Sequence, residues 1–180
     1  EALRRHLGLC LDTCHAAVEF EDPDEVLAAL RAAGIGIAKI QLSAGLRLSR
    51  VDSETLTALR SFAESTYLHQ VVERRGTKLI RYKDLPSALD HAGRTPVTGA
   101  EEREWRIHFH VPLFLERLGP FENTQPFLSR LLRLQVEQVP TVHLEIETYT
   151  WGVLPEEYRG MHVVDAVTRE MQWVIGALMP

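Results

Sequence analysis

The chain contains few of the residues that assign a protein quickly to a class. It has two cysteines among 180 residues, Cys10 and Cys14, too few and too close in sequence for a disulfide framework or a four-ligand zinc knuckle. This content is typical of a protein from a reducing compartment, so we expect a cytoplasmic location.

The sequence also lacks an excess of positive charge and a long apolar run. Its formal net charge is −5 and its pI is near 5.9, which disfavours nucleic acid as a partner. No run approaches the roughly 18 consecutive apolar residues of a transmembrane segment. Since the first residue is Glu1 rather than Met and a strand is predicted almost at once, we expect that upstream sequence has been removed.

What the chain does contain is four apolar stretches with polar side chains at alternate positions. Because successive side chains of a strand point to opposite faces, each predicted strand has one polar and one apolar face. The polar rows are Cys10 and Asp12; Lys39, Gln41 and Ser43; Arg106, His108 and His110; and His143, Glu145 and Glu147. We expect these rows to converge on one shared interior, with the apolar rows packed against helices.

Helices are predicted between these strands. The predicted helices are 23–33, 52–65, 124–138 and a final helix along 163–178, and the strands beside them are 37–43 and 141–148. Residues 67–84 predict a hairpin that turns at Gly76, and 86–104 predict a loop with a short helix. The segment 66–104 is therefore interpreted as an insertion into the alternation of strands and helices.

Strand-then-helix order predicts a single α/β domain with parallel strands. Strands of a doubly wound sheet are apolar on both faces, whereas these are polar on one, as in the lumen of a barrel. Four strands cannot close a barrel. We therefore expect residues 1–180 to be about half, the C-terminal part, of a (β/α)8 TIM barrel with a hairpin insertion, and the N-terminal half to lie upstream.

The polar rows offer ligands for a divalent metal ion. Asp12 ends the first strand and His15 follows three residues later, where barrel enzymes place active residues. Glu147 and an imidazole from His110 or His108 would complete a site for zinc, manganese or iron.

The two histidines of the third row leave alternatives open. Both can be ligands, one can be a ligand and the other a proton carrier, or they can form a structural hydrogen-bonded pair. Glu147 lies nearer the strand end and is assigned to the metal. Glu145 is expected to lie beside the site, where it supports the ligands or the structure and pairs with Lys39 or Arg106.

Aromatic residues follow the last strand, where Trp151 and Tyr149 suit stacking on a sugar ring, shielding of the site or simple packing. The candidate set is then complete. The candidate metal ligands are Asp12, His15, His110 and Glu147; the candidate catalytic residues are His15, His108 and Glu145; the candidate substrate contacts are Gln41 and Trp151.

Two segments carry a resemblance to a known family. Leu-Cys-Leu-Asp-Thr-Cys-His resembles the sixth-strand motif of the xylose-isomerase-like barrel superfamily, which includes sugar isomerases, sugar epimerases and endonuclease IV-type enzymes. Val-His-Leu-Glu-Ile-Glu-Thr resembles its last strand. The resemblance implies that Asp12 and Glu147 bind metal and that His15 is a ligand or substrate contact. Within the superfamily, most of the chain resembles the EboE family of barrel proteins from bacterial metabolite-traffic operons.

The chain departs from the superfamily pattern at the second polar row. Gln41 stands where relatives usually carry a histidine, and an amide coordinates weakly and carries no proton near neutral pH. Either His108 and His110 replace that histidine, or their strand is itself the seventh strand of the barrel and residues 39–43 are displaced from that position.

These observations favour a divalent-metal-dependent isomerase or epimerase, with Zn, Mn, Mg or Fe as cofactor, acting on a small polyhydroxylated sugar or sugar phosphate. One alternative is a non-catalytic carrier or assembly protein for export of a precursor metabolite. Another is an endonuclease IV-type phosphoesterase, which Gln41 and the acidic balance disfavour. A degenerate barrel without function is the last alternative, and the sequence leaves the oligomeric state open.

Overall fold

A computed structural model describes residues 6–94, 102–138, 143–156 and 159–179. The strands are β1 (Leu9–Asp12), β2 (Ile37–Leu42), β3 (Gly45–Leu48), β4 (Val71–Arg75), β5 (Lys78–Tyr82), β6 (Arg103–His110), β7 (Arg117–Leu118), β8 (Phe121–Asn123) and β9 (Leu144–Ile146). The helices are α1 (Thr13–Val18), α2 (Pro23–Ala32), α3 (Ser53–Leu59), α4 (Leu85–Arg94), α5 (Gln125–Gln138) and α6 (Val163–Leu178), with short 3-10 turns at Arg60–Phe62 and Thr150–Gly152.

The strands form two sheets. Three parallel strands lie in the order β1-β2-β9, in a register that aligns Asp12 with Gln41 and Gln41 with Glu145. Six strands form an antiparallel sheet in the order β5-β4-β6-β3-β8-β7. The histidine-bearing strand β6 lies inside this second sheet, between β4 and β3.

The predicted half barrel is therefore wrong, although the α/β class holds. Only three strands run parallel in the described part of the chain, and no barrel closes. The physical reason lies at the end of β2, because only Ser43 and Ala44 separate it from β3. A parallel neighbour needs a crossover of a dozen or more residues, so the chain turns into a separate antiparallel sheet instead.

Two other expectations change with the architecture. The hairpin at the predicted place turns at Gly76, where φ is +54°, but it pairs through β4 with β6 and so belongs to the main antiparallel sheet. The β6 strand is not a barrel strand beside residues 39–43, because β9 is the strand that pairs with β2 on that side. Residues 95–101 of the predicted loop and 141–142 of the predicted last strand lie outside the described residues.

Helix α1 connects the two sheets. It packs against β6, β2 and β3, and the Arg106 guanidinium of β6 donates to the Ala17 carbonyl oxygen at 2.6 Å. The hydrophobic core beside it is centred on aromatic rings: Phe62 meets Phe109 and Phe121 edge to face, with centroid distances of 5.2 and 5.3 Å. This packing brings the ends of β1 and β6 together.

No helix in the described ranges is long and apolar enough to cross a bilayer.

Gly45 of β3 lies in close contact with the neighbouring strand β6 and with helix α1. A Cβ at this position would lie 2.7 Å from the Ile107 carbonyl oxygen and 3.1 Å from the Cys14 sulfur. We expect Gly45→Ala to lower the free energy of unfolding by about 1–3 kcal/mol, because the backbone of β6 must move away. Urea denaturation measures this change.

Gly176 of α6 supplies the control of opposite sign. It is exposed, and a Cβ there meets nothing within 4 Å. Gly176→Ala should therefore raise the free energy of unfolding by about 0.5–1 kcal/mol, through helix propensity alone. Equal effects of the two substitutions would contradict the proposed contact at Gly45.

Candidate metal centre

Polar side chains from both sheets meet where β1, β6 and β9 end. Potential ligand atoms form three overlapping triads in the described part of the chain, and within each triad these atoms lie within 4.8 Å of one another. The triads are Asp12, His15 and His108; Asp12, His110 and Glu147; and Cys14, His108 and His110. All four predicted metal ligands are members of this cluster.

Asp12 is held in place by the start of α1. Its Oδ1 caps the helix, accepting from the Cys14 and His15 amides at 2.8 and 3.2 Å, and it also accepts from the Ser43 hydroxyl at 2.9 Å. Its Oδ2 lies 3.2 Å from His15 Nδ1. One oxygen is therefore committed to the fold, and the other faces the imidazole.

The tautomer of His110 follows from its hydrogen bond. Its Nδ1 bonds to the backbone carbonyl oxygen of Glu147, which can only accept. Nδ1 must therefore carry the proton, and Nε2 presents its lone pair to the cluster. The backbone of His110 is also held, because the Thr150 hydroxyl donates to the His110 carbonyl oxygen at 2.5 Å.

The two β6 imidazoles approach each other through their Nε2 atoms, which are 3.1 Å apart. Two nitrogens bound to one tetrahedral ion at about 2.0–2.1 Å would be separated by about 3.3 Å. The observed spacing therefore fits two ligands of one ion. Without an ion, His108 must donate to His110, and the same spacing fits that hydrogen bond.

Burial keeps both imidazoles neutral. Desolvation, followed by the proximity of His110 and His15, lowers the pKa of His108 to about 3. Desolvation likewise lowers the pKa of His110 to about 4, against an opposing effect of the Asp12 carboxylate. Neutral imidazole is the form that binds metals, so protons do not compete for these nitrogens at neutral pH.

The acidic members of the cluster repel one another. Burial and then the charges of Asp12 and Glu145 raise the pKa of Glu147. Burial, Asp12 and Glu147 also raise the pKa of the Cys14 thiol well above its usual range. A bound cation would oppose both shifts, because a nearby positive charge favours the ionised form.

Glu145 does not join the cluster. Its carboxylate pairs with Lys39, one of the two partners considered from the sequence, and its side chain is 45% exposed. Arg106 pairs with Glu104 instead. Glu145 is therefore held beside the centre by an ion pair rather than inside it.

The two candidate substrate contacts also lie outside the triads. Gln41 is half-buried on β2, and its Oε1 accepts from the Cys10 thiol at 3.3 Å. Trp151 packs against the main hydrophobic core. Tyr149 contacts the cluster in its place, with its ring centroid 4.4 Å from that of His110.

Sequence reasoning missed Cys14 and the support behind His108. His69 is fully buried, and its ring nitrogens bond to the His108 carbonyl at 3.2 Å and to Glu64 Oε1 at 2.8 Å. Nothing in the local pattern indicates this long-range contact. Cys14 had a local signal, since it lies two residues after Asp12 in the first turn of α1.

A cavity of about 460 Å³ adjoins the cluster and includes Asp12 and His15 in its lining. Its other lining residues are Leu9, Cys10, Leu11, Ala16, Glu19, Glu21, Val26, Ala29 and Leu30. A larger cavity of about 1220 Å³, lined by several arginines of the antiparallel sheet, shares no residue with the cluster. Proximity to the ligand atoms makes the smaller cavity the relevant one.

Comparisons of the chain with protein-family models, with curated proteins and with solved structures find no match. The resemblance to the xylose-isomerase-like superfamily stays a prediction, and function is inferred from the cluster itself.

The lowered pKa values of His108 and His110 predict loss of stability in acid for the metal-free protein. Unfolded histidine takes up protons near pH 6.5, whereas the folded residues do so near pH 3 and 4. The unfolded state therefore binds more protons between these limits, and the free energy of unfolding falls as the pH is lowered. The loss is about 2 kcal/mol per histidine between about pH 7.5 and about pH 5.

His108→Gln should remove about half of this pH dependence. Urea denaturation in the presence of a chelator measures it, and subtraction of the variant from the wild type cancels the other titrating groups. His91→Gln on the exposed face of α4 is the matched control and should leave the slope unchanged. A wild-type slope in the His108 variant would contradict the burial argument.

Proposed function

We propose that the chain binds a divalent metal ion at this cluster and uses it in an isomerase- or epimerase-type reaction on a small polyhydroxylated substrate. The observation that carries the proposal is the convergence of Asp12, His110 and Glu147, three potential ligands from three strand ends, within 4.8 Å. Carboxylate and neutral imidazole together suit zinc, manganese or iron.

Asp12, His110 and Glu147 would hold the ion. When bound, it would polarise a carbonyl or hydroxyl oxygen of the substrate as a Lewis acid. The His110 Nδ1–H bond to the Glu147 backbone orients the imidazole, and the hydrogen bonds on Asp12 Oδ1 orient that carboxylate. The protein therefore pre-positions its donors before any ligand arrives.

His15 is suited to move a proton. Its side chain is 57% exposed, and its Nδ1 lies 3.2 Å from Asp12 Oδ2, so Nε2 is the nitrogen that remains for a substrate. Its ring stacks on His108, with a centroid distance of 4.1 Å. A carboxylate that orients an imidazole and stabilises its charged form is a common arrangement for general acid–base catalysis.

The cavity beside Asp12 and His15 supports a small substrate. Its volume of about 460 Å³ lies in the range of small-molecule sites. Cys10, Glu19 and Glu21 offer polar contacts on its wall, as a polyhydroxylated molecule requires. A substrate there would contact Asp12 and His15, which line the cavity.

A non-catalytic carrier is the second candidate, favoured by the apolar part of the same cavity. Leu9, Val26 and Leu30 line it and would bind a hydrophobic precursor. Phosphoester hydrolysis has less support, because the arginine-lined cavity that would bind a phosphate backbone shares no residue with the cluster.

Metal analysis tests the proposed ligands. We expect wild-type protein, stripped with chelator and reloaded with zinc, to retain about one equivalent after gel filtration, as elemental analysis measures. Asp12→Asn and Glu147→Gln should each lower the affinity at least tenfold, about 1.4 kcal/mol. Glu145→Gln is the matched control, since its carboxylate pairs with Lys39. Equal retention in all three variants would contradict the assignment.

Turnover separates the enzyme from the carrier. We expect the metal-loaded protein to convert at least one sugar from a panel of aldoses, ketoses and their phosphates into its isomer or epimer. Proton exchange with the solvent in D2O monitors the reaction. His15→Gln should lower the rate at least a hundredfold, the scale of general acid–base catalysis, while metal content stays unchanged. Tight binding without conversion would indicate the carrier.

A further inference from the structure

We infer that Cys14 is a thiolate ligand of the same centre, so that the site selects a thiophilic ion such as zinc or cobalt over magnesium. The inference rests on the proposed metal centre and adds a sulfur donor to its oxygen and nitrogen donors.

The geometry places the sulfur with the two imidazoles. Cys14 Sγ and a ring nitrogen each from His108 and His110 lie within 4.8 Å of one another. Sulfur and nitrogen ligands of one tetrahedral ion, with bonds of about 2.3 and 2.0 Å, would be about 3.5 Å apart. The limit of 4.8 Å is wider than this spacing, so binding of the ion would draw the three side chains together.

The backbone of Cys14 is fixed relative to the other ligands. Its amide donates to Asp12 Oδ1 at 2.8 Å and to the Ser43 hydroxyl at 3.2 Å. It occupies the first turn of α1, which packs against β6. The thiol is therefore anchored to one metal-ligand residue and held against the strand that carries two imidazoles.

The surroundings of the two cysteines differ in a way that matters. Cys14 is fully buried beside Val18 and Val72, yet its sulfur makes no hydrogen bond with any residue that the structure describes. Cys10 is exposed, and its thiol donates to Gln41. A buried cysteine commonly behaves as a small apolar residue, but apolar surroundings do not place two imidazoles beside its sulfur.

Binding of a metal ion by the Cys14 thiol changes no oxidation state and needs no redox partner. When the ion binds, the S–H bond of Cys14 breaks, its proton passes to solvent, and the sulfur's electron pair forms the bond to the metal. Nitrogen and sulfur donors together favour zinc, cobalt or iron(II), whereas magnesium prefers oxygen donors only. The sulfur therefore determines which ion is selected.

Cobalt substitution tests the ligand directly. The chelator-treated full chain is titrated with Co²⁺, and the near-ultraviolet thiolate-to-cobalt charge-transfer band is recorded with the metal stoichiometry. We expect the band in the wild type and in Cys10→Ser, and its loss in Cys14→Ser and Cys14→Ala. Competition with a chromophoric chelator should show zinc affinity at least tenfold weaker in both Cys14 variants.

The outcomes separate this inference from the proposed centre. Stoichiometric Co²⁺ binding without the band, or a band that survives in both Cys14 variants, overturns the thiolate ligand and leaves the metal centre standing. Failure of the folded wild type to bind Co²⁺ overturns both. The wild-type and Cys10→Ser spectra decide the question even where the Cys14 variants do not fold, and circular dichroism checks that point.

Discussion

The carboxylate of Asp12 is the contact on which the rest of the arrangement depends. Its Oδ1 closes the N-terminus of α1 through the Cys14 amide and joins β1 to the end of β2 through the Ser43 hydroxyl. Its Oδ2 meets His15. One side chain thus caps a helix, joins two segments and offers a candidate ligand atom, so the local fold and the candidate centre share the same hydrogen bonds.

The centre lies at the junction of two sheets rather than in the lumen of a barrel. Asp12 and Glu147 come from the parallel sheet, whereas His108 and His110 come from a strand of the antiparallel sheet. Because α1 packs between the sheets, any separation of them would pull the carboxylates away from the imidazoles. The site therefore needs both sheets in their native relation, and its ligands report on the packing of α1.

The sequence predicted which side chains lie close together better than the architecture that brings them there. Alternation of polar and apolar residues has the same period in parallel and antiparallel strands, so it placed His108 and His110 on one face but not in the right sheet. The connection of only two residues between β2 and β3 was the feature of the sequence that ruled out a parallel neighbour at this point. The pairing of Glu145 with Lys39 depends on the register of β9 against β2. The contact of Tyr149 with His110 depends on the course of the chain after β9. The local sequence pattern determines neither of them.

The electrostatics of the cluster favour the approach of a cation. Burial and the charge of Asp12 raise the pKa of Glu147, and the neutral imidazoles of His108 and His110 offer no charge to offset the two carboxylates. A structural network would be expected to pair these carboxylates with a lysine or arginine, as Glu145 is paired with Lys39. A divalent ion would satisfy the acids and the imidazole lone pairs together, and no single protein side chain in the described structure does both.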